Sequence, residues 1–244
     1  MKKEIKLNDP KHIFVIAEAG SNWKVGSYKK DIERATKLIK VAANSGSDAI
    51  KFQTYNPKTV YVPNAGKSKY LRKSGVDKNI FEIFQKYSMP HKMLKDLSII
   101  CKKEKILFMS TPFSVDDAIE VNKFVKIHKI AAFEINHVRL LEYLASTKKP
   151  IIISTGASNF SDIDFAVKLL KRKGVKTICL LQTTSKYPTP IESLNLKAIL
   201  ELKKRYQVPI GLSDHSIEPI LGPTLAIGLG ATIIEKHFTL NKKF

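Results

Sequence analysis

Two short apolar runs each close on a histidine: Ile210-Gly211-Leu212-Ser213-Asp214-His215 and Ile233-Ile234-Glu235-Lys236-His237-Phe238. If each is a β-strand, the period of two puts Ser213 with His215, and Glu235 with His237, on one face. Imidazoles at the ends of neighbouring strands can share one divalent ion and leave coordination positions open for a substrate. General acid/base work and a structural role are the alternatives these residue types leave open. His12, His91, His128 and His137 show no comparable pairing, and His91 fits a helix start.

A lysine and a glutamate raise the next question. In Ala49-Ile50-Lys51-Phe52-Gln53-Thr54, Lys51 and Gln53 share the face opposite Ile50 and Phe52. An inward ammonium is costly to bury unless something anionic meets it, so Lys51 marks either an anion site or a pair with a barrel carboxylate. Ala17-Glu18-Ala19-Gly20 places a carboxylate among small residues, suited to a metal partner or a base. Hydroxyls recur at the ends of other apolar runs, in Ser110-Thr111, Ser154-Thr155 and Thr183-Thr184-Ser185. Helix capping accounts for Ser161 and Ser114, but less well for the run from Thr183 to Ser185.

These groups need a scaffold that gathers strand ends. Eight β-branched runs, Ile13–Ala19, Asp48–Thr54, Ile106–Thr111, Val125–Ala131, Ile151–Thr155, Thr177–Thr183, Pro209–His215 and Thr232–Phe238, alternate with stretches of helical spacing. That rhythm predicts an α/β fold, a (β/α)8 TIM barrel, with the chemistry at the C-terminal strand ends. Seven helices are expected, so the barrel ends after strand eight without its last helix. About 35 residues, Asn56 to Pro90, separate strand two from its helix, long enough to be a functional loop. No linker or internal repeat divides residues 1–244, read as one catalytic barrel.

Net charge is +20, from 42 basic and 22 acidic residues, and the excess is lysine spread from end to end. A nucleic-acid footprint would gather into a stripe with stacking aromatics or arginine forks. The spread reads instead as a solvated surface or a field steering an anionic substrate, with neither nucleic acid nor membrane as partner. Only Cys101 and Cys179 are present, without a CxxC pair, which fits a reducing cytoplasm. No run approaches the roughly 20 apolar residues of a membrane span.

The strings IAEAGSN at Ile16, DAIKFQT at Asp48, STPFS at Ser110, KIAAFEI at Lys129, STG at Ser154, TTSKYPTP at Thr183, GLSDHS at Gly211 and EKHFTL at Glu235 resemble the N-acetylneuraminate (sialic acid) synthase family, which includes pseudaminate and legionaminate synthases. The resemblance implies a divalent metal, Mn2+ or Mg2+, and an attack by C3 of phosphoenolpyruvate on the aldehyde of an open-chain amino sugar. Water then adds at C2 and phosphate leaves. Motif by motif, His215 and His237 would hold the metal, and Glu18 and Glu134 would act beside it as hydrogen-bonding or proton-transfer groups. Lys51, Gln53, Thr111, Lys129, Ser154, Ser185 and Ser213 would surround phosphoenolpyruvate, and Tyr187 would lie near the sugar. N-acetylmannosamine or a diacetamido-dideoxy hexose is the implied acceptor, and a nonulosonic acid for cell-surface polysaccharide the product.

The sequence departs from the family pattern at Ala132, where many members carry a hydroxyl. It departs again at Gln182 and Thr183, which replace a histidine and a cysteine and are expected to alter the pocket edge. The family's small C-terminal antifreeze-like domain, which completes a partner's site in a homodimer, is absent from 1–244. Competing readings are a truncated inactive remnant and another phosphoenolpyruvate-dependent barrel aldolase.

Overall fold

The computed structural model describes residues 5–67 and 77–242. Eight parallel strands, β1 (Phe14–Gly20), β2 (Ala49–Thr54), β3 (Leu107–Pro112), β4 (His128–Ile130), β5 (Ile151–Ser154), β6 (Ile178–Thr183), β7 (Ile210–Asp214) and β8 (Ile233–His237), pair in the order β3-β2-β1-β8-β7-β6-β5-β4. With β3 lying beside β4, the sheet curls into a (β/α)8 barrel. The expected strands all form, most of them a residue or two shorter; β4 is the shortest, because the chain turns into a 3-10 helix at Ala132–Glu134.

Helices α1 (Tyr28–Asn44), α4 (His91–Lys103), α5 (Val115–Asn122), α6 (Val138–Ser146), α7 (Phe160–Arg172), α8 (Ala198–Tyr206) and α9 (Leu221–Gly228) return the chain between strands. The long excursion after β2 carries two more, α2 (Pro57–Val60) and α3 (Ile80–Tyr87). An aromatic chain fastens it to the barrel: Phe84 meets Tyr61 and Tyr55 at 4.6 and 4.9 Å, and Tyr55 meets Phe113 at 5.6 Å. Ser114 caps α5 as expected, but Ser161 does not cap α7. Asn159 does, in a reciprocal capping box with Asp162.

Period-two alternation divides each strand between two environments. Inward residues at the strand starts, Phe14, Ile16, Ala49, Met109, Ile127, Ile152, Cys179, Leu181 and Ile233, fill the barrel with an apolar plug. Outward residues such as Ile50, Phe52, Ile130, Ile153 and Leu180 pack on the helices. No helix follows β8 among the described residues, and the outward Val15 and Ala17 of β1 are only half-buried, whereas Ile50 and Phe52 next door are wholly covered.

Exposed lysines occur at both ends of the barrel, and Lys29, Lys30, Lys58, Lys92, Lys186 and Lys197 lie in first helical turns or strand-to-helix loops. Exposed Lys102, Lys103, Lys105, Lys126, Lys148, Lys171, Lys173, Lys176, Lys203 and Lys204 all lie in last helical turns or helix-to-strand loops. These lie at the end of the barrel opposite the C-terminal strand ends, where they complement helix C-termini.

Candidate functional site

One step beyond the apolar plug, the inward position turns polar on every strand. Above Ile16 stands Glu18, above Ala49 stands Lys51, above Met109 stands Thr111, and above Ile127 stands Lys129. Ser154 follows Ile152, Thr183 follows Leu181, Ser213 follows Gly211, and Glu235 follows Ile233. All eight are buried. The same two-residue period that fills the barrel therefore lays a charged, hydroxyl-rich floor under its mouth.

Lys51 is paired with carboxylates. Its Nζ lies 2.6 Å from Glu18 Oε2 and 3.6 Å from Glu235 Oε1, and donates to Thr111 Oγ1 at 3.0 Å. Burial works against this ammonium, but the two carboxylates outweigh it and hold the pKa above the ordinary lysine value. Gln53 donates to Glu18 Oε1 at 3.2 Å, and Ser213 to Glu235 Oε1 at 3.2 Å. Lys129 donates to Ser154 Oγ at 2.7 Å and to the Ile130 carbonyl at 2.9 Å. Desolvation dominates at Lys129, so its pKa falls to about 8. The two carboxylates diverge: burial pushes Glu18 up, while Lys129 and Lys51 overcome burial and hold Glu235 down.

Glu134 ends the 3-10 turn after β4, where burial raises its carboxyl to about 7 and the nearby Lys129 opposes the rise. Its Oε2, like Glu235 Oε2, is buried without a hydrogen-bond partner. Ser185 is seated by Gly156: a Cβ at 156 would lie 2.4 Å from Ser185 Oγ.

At the mouth the two histidines come together, ring centroids 5.5 Å apart. His215 Nδ1 sits 2.9 Å from the Thr184 carbonyl, which can only accept, so Nδ1 carries the proton and Nε2 of the neutral ring carries the lone pair. Burial lowers the His215 pKa, which favours that neutral form. His237 is lowered too, by desolvation and then by the His215 and Lys51 charges. Tyr187 stacks on His215 at 4.1 Å and meets His237 edge-on at 5.7 Å. No cluster of three or more His, Cys, Asp or Glu forms a ready-made cage among the described residues. Two neutral imidazoles near the buried, unpartnered Glu235 Oε2 nevertheless fit a divalent ion whose other positions go to water or substrate.

The residues expected from sequence thus occupy one connected mouth. Two details differ. Glu235 is integral to the floor; its i, i+2 relation to His237 was the signal that pointed inward. Gln182 does not edge the pocket: it faces outward and donates to the Leu194 carbonyl at 3.2 Å, tying β6 to the loop before α8, while Thr183 faces in. A separate cleft of about 500 Å³ beside Tyr28, His91 and Asp96 lies on the helical exterior, where Tyr28 and Asp96 satisfy each other at 2.6 Å.

Comparison with known proteins agrees with this geometry. The model of the NeuB family matches residues 38–244. A pseudaminic acid synthase of Campylobacter jejuni is 36% identical over 239 residues, which cover 97% of this chain and 68% of that protein. An N,N'-diacetyllegionaminic acid synthase of the same species is 38% identical over 236 residues, covering 95% and 69%. In three dimensions, the N-acetylneuraminic acid synthetase of Leptospira borgpetersenii superposes with a TM-score of 0.84 at 34% identity, over 100% of this chain and 80% of that one.

Proposed function

The chain belongs to the NeuB family and is a sialic-acid-synthase-like enzyme of carbohydrate biosynthesis, and from that premise we propose that it condenses phosphoenolpyruvate with an N-acetylated amino-sugar aldehyde. N-acetylmannosamine or a diacetamido-dideoxy hexose is the acceptor, and a nonulosonic acid and phosphate are the products. The observation that carries this reading is the floor of two lysines, two glutamates and four hydroxyls directly beneath two neutral imidazoles.

Lys51 and Lys129, with the hydroxyls of Thr111, Ser154, Ser185 and Ser213, bind the carboxylate and phosphate of phosphoenolpyruvate. Lys51 is already held by Glu18 and Glu235, so the incoming anion exchanges with a carboxylate instead of meeting a bare charge. Carbon C3 bonds to the aldehyde carbon, whose oxygen takes a proton and becomes a hydroxyl. Water adds at C2 and loses both protons, one balancing that taken by the aldehyde oxygen and the other leaving with phosphate, as the C2–O bond to phosphate breaks and the ketone forms. Glu134, with a pKa of about 7, holds a proton near neutrality that it can deliver to the aldehyde oxygen. When bound at His215 and His237, Mn2+ or Mg2+ supplies Lewis-acid polarisation of the aldehyde; the mixed nitrogen and oxygen donors favour Mn2+. Residues 1–244 act as the catalytic barrel of a cytoplasmic homodimer, where phosphoenolpyruvate is available.

Phosphate release from phosphoenolpyruvate, measured with each sugar in Mn2+ and in chelator, tests the proposal. Release that requires sugar and disappears with chelator and with His215→Ala is expected. A folded protein that releases no phosphate with any of these sugars would overturn it.

A further inference from the structure

The loop after β6 is built around His215. The Thr184 carbonyl accepts from His215 Nδ1 at 2.9 Å, from Lys186 N at 2.8 Å and from Thr189 Oγ1 at 3.2 Å, and Thr189 N in turn donates to the His215 carbonyl at 3.0 Å. Within this wrap, Tyr187 lays its ring on the imidazole, with centroids 4.1 Å apart and planes inclined by 21°. The phenol hydroxyl donates to Nε2 at 3.1 Å, so a cation that takes this lone pair takes the place of the hydroxyl. Ser213 Oγ, 3.5 Å from Nε2, has its proton committed to Glu235.

With a cation at Nε2, the hydrogen bond left at Nδ1 fixes one atom of the ring but not its plane, and His215 follows the last strand residue, where the ladder no longer constrains it. The flat contact with Tyr187 supplies the missing restraint. Its edge contact with His237 at 5.7 Å and 83° extends that restraint to the second imidazole. We propose that Tyr187 is a positioning residue for the histidine pair, its ring setting the imidazole geometry that a divalent cation meets before any sugar arrives. This inference rests on the metal-dependent reading above and gives Tyr187 a role distinct from touching the sugar.

Mn2+ binding to the wild type, Tyr187→Phe, Tyr187→Leu and His215→Ala, followed by the EPR signal of free Mn2+ without phosphoenolpyruvate or sugar, separates the two roles. Tyr187 is 42% exposed, so both replacements are expected to fold, with near-ultraviolet circular dichroism as the check. Tyr187→Leu should weaken Mn2+ by about 10-fold or more, as loss of support behind a metal ligand does, while Tyr187→Phe keeps the ring and stays within about 3-fold of wild type. Equal affinity in Tyr187→Leu and wild type would overturn the inference and leave metal dependence standing. Equal weakening in Phe and Leu would also overturn it, by assigning the effect to the hydroxyl. A wild type that binds no Mn2+ would overturn the metal reading and this inference together.

Discussion

Lys51 and Glu18 are register partners across the β1–β2 ladder, and their side chains, 4% and 1% exposed, meet at 2.6 Å inside the barrel. Removing one member of such a pair leaves a buried charge without compensation, which typically costs about 3–5 kcal/mol. Lys51→Met is therefore expected to lose about 3 kcal/mol or more in urea unfolding. Glu18→Gln/Lys51→Met should lose less than the sum of the two single variants. Burial already pushes the Glu18 carboxyl up and Lys51 opposes that rise, so loss of Lys51 raises it further, protonation favours the variant's folded state, and its deficit should shrink as pH falls from 8 to 5. A deficit independent of pH would show that the pair does not govern the stability of the floor.

His128 is wholly buried on the outward face of β4, and burial drives its pKa down to about 4 from 6.5. Thr147 Oγ1 donates to the Leu144 carbonyl and so accepts from His128 Nε2–H at 3.1 Å, which leaves Nδ1 unprotonated and unpartnered. The unfolded chain binds a proton near pH 6.5 and the folded chain resists until about 4, so the stability contributed by neutral His128 is present above 6.5 and lost as pH falls through that window. The full difference is about 3 kcal/mol. His128→Gln retains an N–H for Thr147 without titrating. Its unfolding free energy should depend less steeply on pH between 6.5 and 4 than that of wild type, and parallel curves would refute the assignment.

How much of this was legible beforehand follows from which contacts are periodic and which are not. Alternation in Ile210–His215 and Ile233–His237 suffices to bring Ser213, His215, Glu235 and His237 to one mouth, and the eight strands fall where β-branched runs predict. Alternation also turns Gln182 outward, although a residue beside Thr183 looks like part of the pocket wall. What remains hidden is pairing between distant segments. Nothing local to Lys51 says that Glu18 and Glu235 will both neutralise it, or that Tyr187 will lie flat on His215. Those relations depend on barrel closure and on a loop wrapped by its own carbonyl, neither of which has a sequence period.

Gly211 shows how tightly the plug beneath the site is filled. A Cβ there would lie 2.2 Å from the Ile233 carbonyl oxygen and 2.6 Å from Leu181 Cδ2, so backbone on the neighbouring strand would have to move. Overpacking of this kind costs about 1–3 kcal/mol and sometimes more. Gly211→Ala is expected at the upper end, with a clear drop in Tm. Gly228, with nothing within 4 Å of a Cβ and no positive φ, is the matched control, where alanine should be neutral or slightly stabilising. Equal Tm values for the two variants would contradict the packing.

In the proposed reaction Lys129 binds phosphoenolpyruvate only while charged, and desolvation has brought its pKa to about 8. The pH dependence of kcat/KM reports groups of the free enzyme, so kcat/KM for phosphoenolpyruvate should fall as pH rises through about 8. Binding the anion favours the ammonium, so kcat under saturating substrate should fall only at higher pH. Arginine stays charged throughout the range and tests the assignment: Lys129→Arg, which exchanges a compact ammonium for a planar fork, should have a lower kcat/KM at pH 7 and no descending limb near 8. If the limb persists unchanged in Lys129→Arg, the titrating group lies elsewhere, and Lys129 holds Ser154 in place without carrying the charge that captures the substrate.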